Sequence, residues 1–335
     1  MKLRILTEDD VRGLVVMADA IDLQAKAFII LAEGGSIEGL RSFALSDDPP
    51  GGVIFNPSFL KGGKGYGIKV VSDFYGNSEL GVPRMSAIVA LFDGETGLPR
   101  TIMEAGYMSD LRTGAGTALA ARHLARRDSR VLTLVGAGRV ARNQLAALSE
   151  VCRLEKVRVV TRSEGRGREF VERMSAAGGK VPTDIELALE RDAAVGDADI
   201  VVCATTARQP VIDGAALSAG TFVAAVGAHD VGAREVDTET IRRAAKRVVD
   251  SPVDSLKNAG DLMVPLGEGV IGEDDIASIA DVVAGRRAGR QSDDEITYYK
   301  GMGVPIQDLV TAQYIESRAE ERGVGTIIDI GGDHD

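Results

Sequence analysis

Residue types that bind metals or form disulfides are scarce in this sequence. Its 335 residues include two cysteines, Cys152 and Cys203, and three histidines, His123, His229 and His334. Cys203 lies in an apolar run and Cys152 follows a predicted helix, so both are predicted to fill space in the core, with a reactive thiol as the alternative. Because no histidine has a partner at the spacing of a metal site, we expect no bound metal.

The chain also lacks a long apolar run and a cluster of basic residues. No stretch approaches the ~18 apolar residues of a membrane-spanning helix, and the first residues, MKLRILTEDD, become acidic before a signal-type apolar region develops. The net charge is −11 and the basic residues are scattered, which argues against nucleic acid or an anionic membrane as a partner. We therefore expect a soluble, cytoplasmic protein.

The first third of the sequence predicts two helices followed by a sheet. Thr7 and Asp10 have the spacing of a capping box, and Ile21, Phe28 and Ala32 fall with Ala25 on one face of a second helix. Short β-type segments follow, separated by turns: Gly52–Phe55, Gly65–Ser72, Ser86–Asp93 and Arg100–Ala105. Because no helix separates them, they predict an antiparallel or mixed sheet.

From residue 131 onward, apolar runs alternate with helical segments. These runs are Val131–Val135, Val157–Thr161, Ile200–Ala204, Thr221–Val226 and Arg247–Asp250. They predict a parallel sheet covered on both faces. A linking helix is predicted after Asp110, Asp274 to about Ala312 is predicted to be helical and loop-like, and a final helix over Gln307–Arg322 is expected to return to the first domain.

The stretch VLTLVGAGRVARNQ, residues 131–144, has the pattern of strand, tight turn and helix. Its G-x-G-x-x-A motif consists of Gly136, Ala137, Gly138, Arg139, Val140 and Ala141. The glycines permit the turn and the approach of a pyrophosphate, and the helix start presents N–H groups to the phosphates. The pattern predicts a dinucleotide site, the alternative being an ordinary glycine turn.

The second apolar strand ends in a basic loop. In folds of this type an acidic residue at this position binds the ribose in enzymes that use NAD. Here Arg162, Ser163 and Arg166 are able to hold a 2′-phosphate instead, which favours NADP. A solvated basic loop is the alternative, and an inward-turned Glu164 would favour NAD.

Two further pairs of residues follow apolar strands. Thr205 and Thr206 come after the third run, and Val226 and Gly227 end the fourth. Because open α/β sheets bind ligands at the carboxyl ends of their strands, we expect these residues to contact the coenzyme.

Three basic residues of the first domain have an unusual context. Lys69 lies in the apolar strand GYGIKVVS, where burial is unfavourable without a charged partner. Arg41 follows a helix, and Arg112 lies just before the predicted linking helix. The alternatives are an edge-strand or interface lysine and, for Arg112, an ion pair between domains.

Several motifs together resemble the ornithine cyclodeaminase/mu-crystallin family: GIKVVSDFYGN, ALFDGETGLP, SDLRTGAGTALAARHLA, the G-x-G-x-x-A, CATTARQPVI, AVGAHDVGAREVD and GMGVPIQD. The resemblance extends from about Leu3 to Ile327, and LFDGETGLP and SDDEIT are most similar to the archaeal-type alanine dehydrogenase branch, beside the ketimine reductases. It implies a homodimer joined through the domains that do not bind nucleotide. It also implies an NAD(P)-dependent enzyme that interconverts a small L-amino acid and its imine.

The resemblance also assigns roles to individual residues. Arg41 and Arg112 match arginines that hold the substrate carboxylate, Lys69 a lysine that contacts the carboxylate and the reacting group, and Thr113 a residue beside the coenzyme phosphates. We expect the two arginines to lower the pKa of Lys69.

One position departs from the family pattern. The cyclodeaminases and alanine dehydrogenases carry an aspartate where this chain has His229, with Asp230 next to it. This departure puts ring closure with loss of ammonia in doubt. His229 or Asp230 is then a candidate for proton transfer, and a loop histidine packed on the coenzyme is the alternative.

The sequence therefore predicts an α/β fold with a Rossmann-type doubly wound domain, residues 116–306, that binds NAD(P). A discontinuous α+β domain, residues 1–115 with 307–335, is expected to bind substrate and form the dimer. The predicted activity is hydride transfer between a coenzyme and a small α-amino or α-imino acid. The alternatives are a cyclodeaminase-type lyase with tightly bound NAD and a non-catalytic binding protein.

Overall fold

The computed structural model describes residues 1–39 and 41–331, so His334 lies outside the described residues. Within them the chain forms two compact units, one of residues 1–112 with the residues from 304 onward, the other Thr113–Gly303. No helix in the described ranges is long and apolar enough to cross a membrane. The functions that the sequence assigns to the two parts stay predictions.

The first unit begins with a strand, two helices and a series of strands. The elements are β1 (Lys2–Leu6), α1 (Glu8–Leu14), α2 (Met17–Ala32), β2 (Ser36–Glu38), β3 (Ser42–Asp47), β4 (Pro50–Leu60), β5 (Tyr66–Phe74), β6 (Met85–Phe92) and β7 (Pro99–Glu104). The predicted capping box is confirmed, since Asp10 Oδ2 accepts from the Thr7 N–H at 2.9 Å and Thr7 Oγ1 accepts from the Asp10 N–H at 3.3 Å. The buried face of α2 is centred on Ala20, Gln24 and Ala27, so Ala25 and Ala32 are only half-buried.

Helix α3 (Gly106–Leu124) begins earlier than the sequence predicted. The carboxylate of Glu104 accepts hydrogen bonds from the N–H groups of Gly106 and Tyr107, at 2.5 and 3.2 Å, and so satisfies donors that have no partner inside the helix. Arg112 therefore lies within the helix and not before it.

The second unit is a series of parallel strands joined mostly through helices. Its elements are β8 (Val131–Val135), α4 (Arg139–Val151), β9 (Lys156–Val160), α5 (Glu164–Ser175), β10 (Ile185–Leu187), α6 (Arg191–Gly196), β11 (Ile200–Cys203), β12 (Phe222–Ala225), α7 (Thr238–Arg243), β13 (Ala244–Val249), α8 (Pro252–Asn258), α9 (Gly260–Gly267), β14 (Ile276–Ser278), α10 (Ile279–Val283) and β15 (Ile296–Lys300). The order across the sheet is β10-β9-β8-β11-β12-β15-β13-β14, with parallel pairing throughout the described register. The predicted doubly wound parallel sheet is confirmed.

The prediction that residues 274–312 are helical and loop-like is wrong at β15, which is a strand. It lies between β12 and β13, and each of its residues is buried. Its threonine and lysine made the strand hard to recognise in the sequence, and both have internal partners: the Thr297 hydroxyl donates to the Leu124 carbonyl at 2.7 Å, and Lys300 pairs with Asp261.

The chain ends with α11 (Pro305–Arg322) and β16 (Thr326–Asp329). The first sheet has the order β16-β1-β7-β6-β5-β4-β2, and β3 also pairs with β4. β1 runs parallel to β7, whereas the pairs β4–β5, β5–β6 and β6–β7 are antiparallel, which confirms a mixed sheet. Helix α11 packs against β4, β5 and β6 and so covers one face of this sheet.

Candidate functional site

Lys69 lies in the middle of the first sheet, on the face covered by α11. β5 is an interior strand between β4 and β6, so the interpretation of Lys69 as an edge-strand lysine is wrong. Lys69 is 5% exposed. A Cβ at Gly67, two residues earlier on the same face, would stand 3.1 Å from the side chain of Leu309 in α11. The ammonium group is thus held between the sheet and this helix.

Asp308, in the first turn of α11, binds two of the predicted cations. Its Oδ2 is 2.6 Å from Lys69 Nζ, and its Oδ1 accepts from Arg112 Nε at 2.9 Å. Asp308 is 4% exposed. Both partners belong to the same unit as Asp308, so this contact is not an ion pair between domains.

The pKa of Lys69 is lowered to about 8. Burial is the largest cause, since it disfavours the charged form, and the charge of Arg112 adds to it; Arg41 has a smaller effect and Asp308 opposes all three. The predicted direction is therefore confirmed, although the arginines are not the main cause. Burial raises the pKa of Asp308, but the neighbouring charges of Arg112 and Lys69 outweigh it and the net shift is downward.

Arg41 lies on the same side of the sheet as Lys69, where it is hydrogen-bonded to Asn56. Its Nε donates to Asn56 Oδ1 at 3.0 Å, and Asn56 in β4 stands opposite Lys69 in the register of the two strands. Glu38 is also close, because its Oε2 accepts from the Ile306 N–H at 2.9 Å. Burial raises the pKa of Glu38, and the charge of Asp308 adds a smaller upward effect. The three predicted basic residues are thus grouped around β4, β5 and the start of α11.

Asp308, Asn56 and Glu38 were not predicted from the sequence. A signal was present for Asp308, which lies in the GMGVPIQD segment three residues after the proline that begins α11. A lysine in an apolar strand requires an anionic partner, but the sequence does not indicate which acid approaches it.

The predicted pyrophosphate turn joins β8 to α4. Gly136 has φ +118°, and a Cβ there would lie 2.5 Å from the Ala204 carbonyl oxygen. At Gly138 no described atom lies within 4 Å of the position of a Cβ, and within the described chain no side chain caps the start of α4. Ala141 is fully buried. The turn therefore fits a phosphate group that approaches the main chain, with Ala137, Arg139 and Val140 around it.

The loop after β9 and the first turn of α5 present exposed basic residues. Arg162, Ser163 and Arg166 are exposed, and Ser163 Oγ accepts from the Arg166 N–H at 3.4 Å as the cap of α5. Glu164, the acid that would favour NAD, forms an ion pair with Arg168 one turn along α5.

The ends of β11 and β12 are joined by a buried acid. Glu235 Oε1 accepts from the N–H and hydroxyl of Thr205 at 2.7 and 2.8 Å, and its Oε2 accepts from the Gly227 N–H at 2.6 Å. Thr206 is exposed and Val226 is buried. Glu235 was not predicted from the sequence as a site residue.

The remaining predicted residues belong to the second unit. His229 and Asp230 lie on an exposed loop after β12, where Asp230 Oδ1 accepts from the Gly232 N–H at 2.7 Å. Thr113 lies in α3, and its carbonyl accepts from the Thr117 hydroxyl at 3.3 Å. The three basic residues belong to the first unit. Roles that require groups of both units stay predictions.

Comparison with known proteins shows similarity along the whole chain. The chain is 32% identical over 326 residues to a Delta(1)-pyrroline-2-carboxylate reductase of Bacillus cereus, covering 97% of this chain and 99% of that protein. The structure of the Thermococcus litoralis Delta(1)-pyrroline-2-carboxylate reductase in complex with NADH and L-proline matches with a TM-score of 0.91 and 36% identity, over 96% of this chain and 99% of that one.

An archaeal alanine dehydrogenase dimer with bound NAD matches with a TM-score of 0.91 and 32% identity, over 99% of this chain and 100% of that one. These similar proteins are reductases and a dehydrogenase of imino and amino acids, as the sequence motifs predicted. The model of the ornithine cyclodeaminase/mu-crystallin family matches residues 1–323. The chain belongs to the ornithine cyclodeaminase/mu-crystallin family.

Proposed function

We propose that this protein is an NAD(P)-dependent oxidoreductase that interconverts a small α-imino acid and the corresponding L-amino acid by hydride transfer. The observation that carries the proposal is the buried group formed by Lys69, Arg112 and Asp308, with Arg41 on the same face of the sheet. Burial of a cation is costly in free energy, and buried cations suit a small anionic substrate. The reductase and dehydrogenase relatives support the same reaction class.

The arginines are proposed to bind the substrate carboxylate. Arg112 uses Nε for Asp308, and its two Nη groups are the donors that we assign to a planar carboxylate. Arg41, fixed by Asn56, supplies a second guanidinium. Holding the carboxylate at these groups fixes the orientation of the imine.

Lys69 is proposed as the proton donor to the imine nitrogen. With a pKa of about 8 it is mostly protonated at neutral pH, yet it releases its proton more readily than an exposed lysine. A bound dihydronicotinamide supplies the hydride that the imine carbon accepts. His229 and Asp230 are the second pair of candidates for proton transfer.

The pyrophosphate is assigned to the turn between β8 and α4, where Gly136 and Gly138 leave room for it. Thr113 is assigned to the same phosphates. NADP is the proposed coenzyme, because Arg162 and Arg166 are exposed at the end of β9 while Glu164 is paired with Arg168. NAD or NADH is the coenzyme named in the similar structures, so the proposal of NADP rests on the residues of the present chain alone.

A homodimer is proposed through the face of the first sheet that lies opposite Lys69. Val70 stands beside Ile88 and Phe55 in the register of β4, β5 and β6, and these residues are only partly buried. Ile88 is 47% exposed. A broad apolar surface of this kind is typical of an interface between subunits, and the similar alanine dehydrogenase is a dimer.

A spectrophotometric panel at about 340 nm, the absorbance band of reduced nicotinamide, tests the function. The substrates are cyclic imines such as pyrroline-2-carboxylate, keto acids with ammonia or methylamine, and iminosuccinate, each with NADH and NADPH. We expect coenzyme oxidation with at least one carboxylated imine and none with its decarboxylated analogue. Ammonia release from ornithine without net change of coenzyme would instead identify a lyase, and ligand binding without turnover would identify a binding protein.

A further inference from the structure

The carboxyl ends of β11, β12 and β15 meet at a buried network of charged residues. Glu235, Asp261 and Lys300 are each 0% exposed. Lys300 Nζ donates to Asp261 Oδ2 at 2.8 Å and to the Ala228 carbonyl at 2.6 Å. Asp261 Oδ1 in turn accepts from the N–H groups of Glu235 and Val236, at 2.7 and 3.0 Å. The network ties the loop after β12 to the ends of its neighbours.

The hydrogen bonds of Glu235 favour its ionised form. Each carboxylate oxygen accepts two hydrogen bonds: Oε1 from the N–H and hydroxyl of Thr205, and Oε2 from the N–H groups of Gly227 and Ala228. The three N–H groups can only donate, so they stabilise the carboxylate over the protonated carboxyl. Burial and the charge of Asp261 raise the pKa of Glu235, while the charge of Lys300 and the N–H groups of Thr205 and Gly227 oppose them; the net shift is upward.

The three residues together carry one negative charge in excess, because Lys300 neutralises only one of the two carboxylates. Other charged groups belong to the same region. Arg208 and Asp230 are exposed to water, which screens them, and the half-buried Arg234 donates to the Thr238 hydroxyl at 3.2 Å. Water screens the excess negative charge of the buried network less than it screens the charges of these surface residues.

The network lies where the nicotinamide half of a dinucleotide is expected. A pyrophosphate on the turn after β8 places the adenosine over β9, and the strand order β9-β8-β11-β12 then directs the other nucleotide toward β11 and β12. Gly227, at the end of β12, has no room for a side chain, since a Cβ would lie 2.6 Å from Glu235 Oε1. The carboxylate thus lies directly against the main chain of Gly227 at this strand end.

We propose that the excess negative charge of Glu235, Asp261 and Lys300 makes the second unit favour the oxidised coenzyme, whose nicotinamide ring is positively charged, over the reduced coenzyme, whose ring is neutral. The proposal rests on the proposed function, because it requires a coenzyme on this sheet. Glu235 acts as a positioning residue through its hydrogen bonds and as a charge through the network. The preference for the oxidised coenzyme leads to its tight retention after an imine has been reduced.

The test measures the dissociation constants of NADP⁺, NADPH, NAD⁺ and NADH by calorimetry and by fluorescence of the reduced forms. We expect the wild-type protein to bind the oxidised form at least as tightly as the reduced form. Glu235→Gln, which keeps the shape and removes the charge, is expected to shift this ratio about tenfold toward the reduced form. Glu235→Asp keeps the charge and shortens the side chain, so both affinities fall while the ratio stays.

Glu273→Gln is the matched control, since it removes an exposed carboxylate of the same unit and should leave each constant unchanged. A wild-type protein that binds the reduced form tenfold more tightly overturns the inference without any variant, even if Glu235→Gln does not fold. Equal losses of both affinities in Glu235→Gln also overturn it, because they show a structural role alone. Absence of any coenzyme binding would instead contradict the proposed function.

Discussion

Asp308 controls the protonation of Lys69 through the contact of 2.6 Å between its Oδ2 and Lys69 Nζ. Because the charge of Asp308 raises the pKa of Lys69, Asp308→Asn should lower this pKa below its present value of about 8. As a proton donor, Lys69 loses activity when the pH rises through its pKa. We therefore expect the alkaline limb of kcat for imine reduction to move to lower pH, with about a fivefold loss at pH 8.

The control for this substitution is Glu320→Gln, which removes a half-exposed carboxylate from the same helix. Its pH profile should match that of the wild-type protein. A profile of Asp308→Asn that keeps its alkaline limb, in a variant with unchanged melting temperature, would show that Lys69 does not donate the proton.

Arg112 offers a second test at the scale of a residue. Arg112→Ala removes a guanidinium that binds Asp308 Oδ1 at 2.9 Å, and we expect it to abolish turnover of every carboxylated substrate. Coenzyme affinity should stay within about tenfold of the wild-type value, since about 1.4 kcal/mol is a reasonable bound for an indirect effect. Loss of coenzyme binding together with activity would show that Arg112 has been assigned to the wrong ligand.

Arg112→Lys serves as the graded comparison. It retains a positive charge near Asp308 but loses the two parallel donors, so we expect a raised KM with partial activity.

The site residues differ in how far the sequence predicted them. Arg41, Lys69 and Arg112 were recognised from their context and from family motifs, whereas Asp308 was missed although it is their shared partner. Lys69 and Asp308 are 239 positions apart in the chain (308 less 69), and their contact depends on α11 packing on β5. Residue type predicts the need for an anion, but only tertiary structure identifies which one.

At the scale of the elements, helices and strands with clear patterns were predicted well and mixed ones were not. β8 was predicted with its observed bounds because each of its residues suits a buried strand. β15 was missed because ITYYK contains a threonine and a lysine, which tertiary contacts with Leu124 and Asp261 make suitable for burial. β4 continues to Leu60, beyond Phe55, where the sequence predicted its end. It passes through Pro57, whose carbonyl accepts from the Gly39 N–H at 3.1 Å.

The coenzyme preference that we propose depends on Arg162, after β9, and on Arg166, in the first turn of α5. Arg162→Ala combined with Arg166→Ala should raise the KM for NADPH about tenfold or more, because a 2′-phosphate loses charge-assisted hydrogen bonds. The KM for NADH should change by less than about twofold. Steady-state kinetics with both coenzymes measure this directly, and equal effects on the two would contradict a 2′-phosphate site.

Arg173→Ala is the matched control for that pair, since it removes an exposed arginine from the last turn of α5. It should leave the KM of both coenzymes unchanged.

At the scale of the whole molecule, the two faces of the first sheet differ in what covers them. One face carries Lys69 beneath α11, and the other presents Val70 and Ile88, which alternate with the inward residues along their strands. A stable interface buries about 800 Å² on each partner, and burial of apolar area contributes about 25 cal/mol for each Å². Burial of apolar area on the outer face would therefore stabilise the dimer that we propose.

Ile88→Lys tests this arrangement, since it places a charge on the outer face without touching Lys69. We expect a monomer, or a dimer that dissociates on dilution, by size-exclusion chromatography with light scattering, because a lysine in an apolar interface lacks a partner there. Leu189→Lys, at a site that is 80% exposed in the second unit, should leave the molecular mass unchanged. An unchanged mass in Ile88→Lys as well would place the subunit contact elsewhere. A monomer that keeps its coenzyme affinity would show that the Rossmann-type unit binds its ligand independently of the sheet face that joins the subunits.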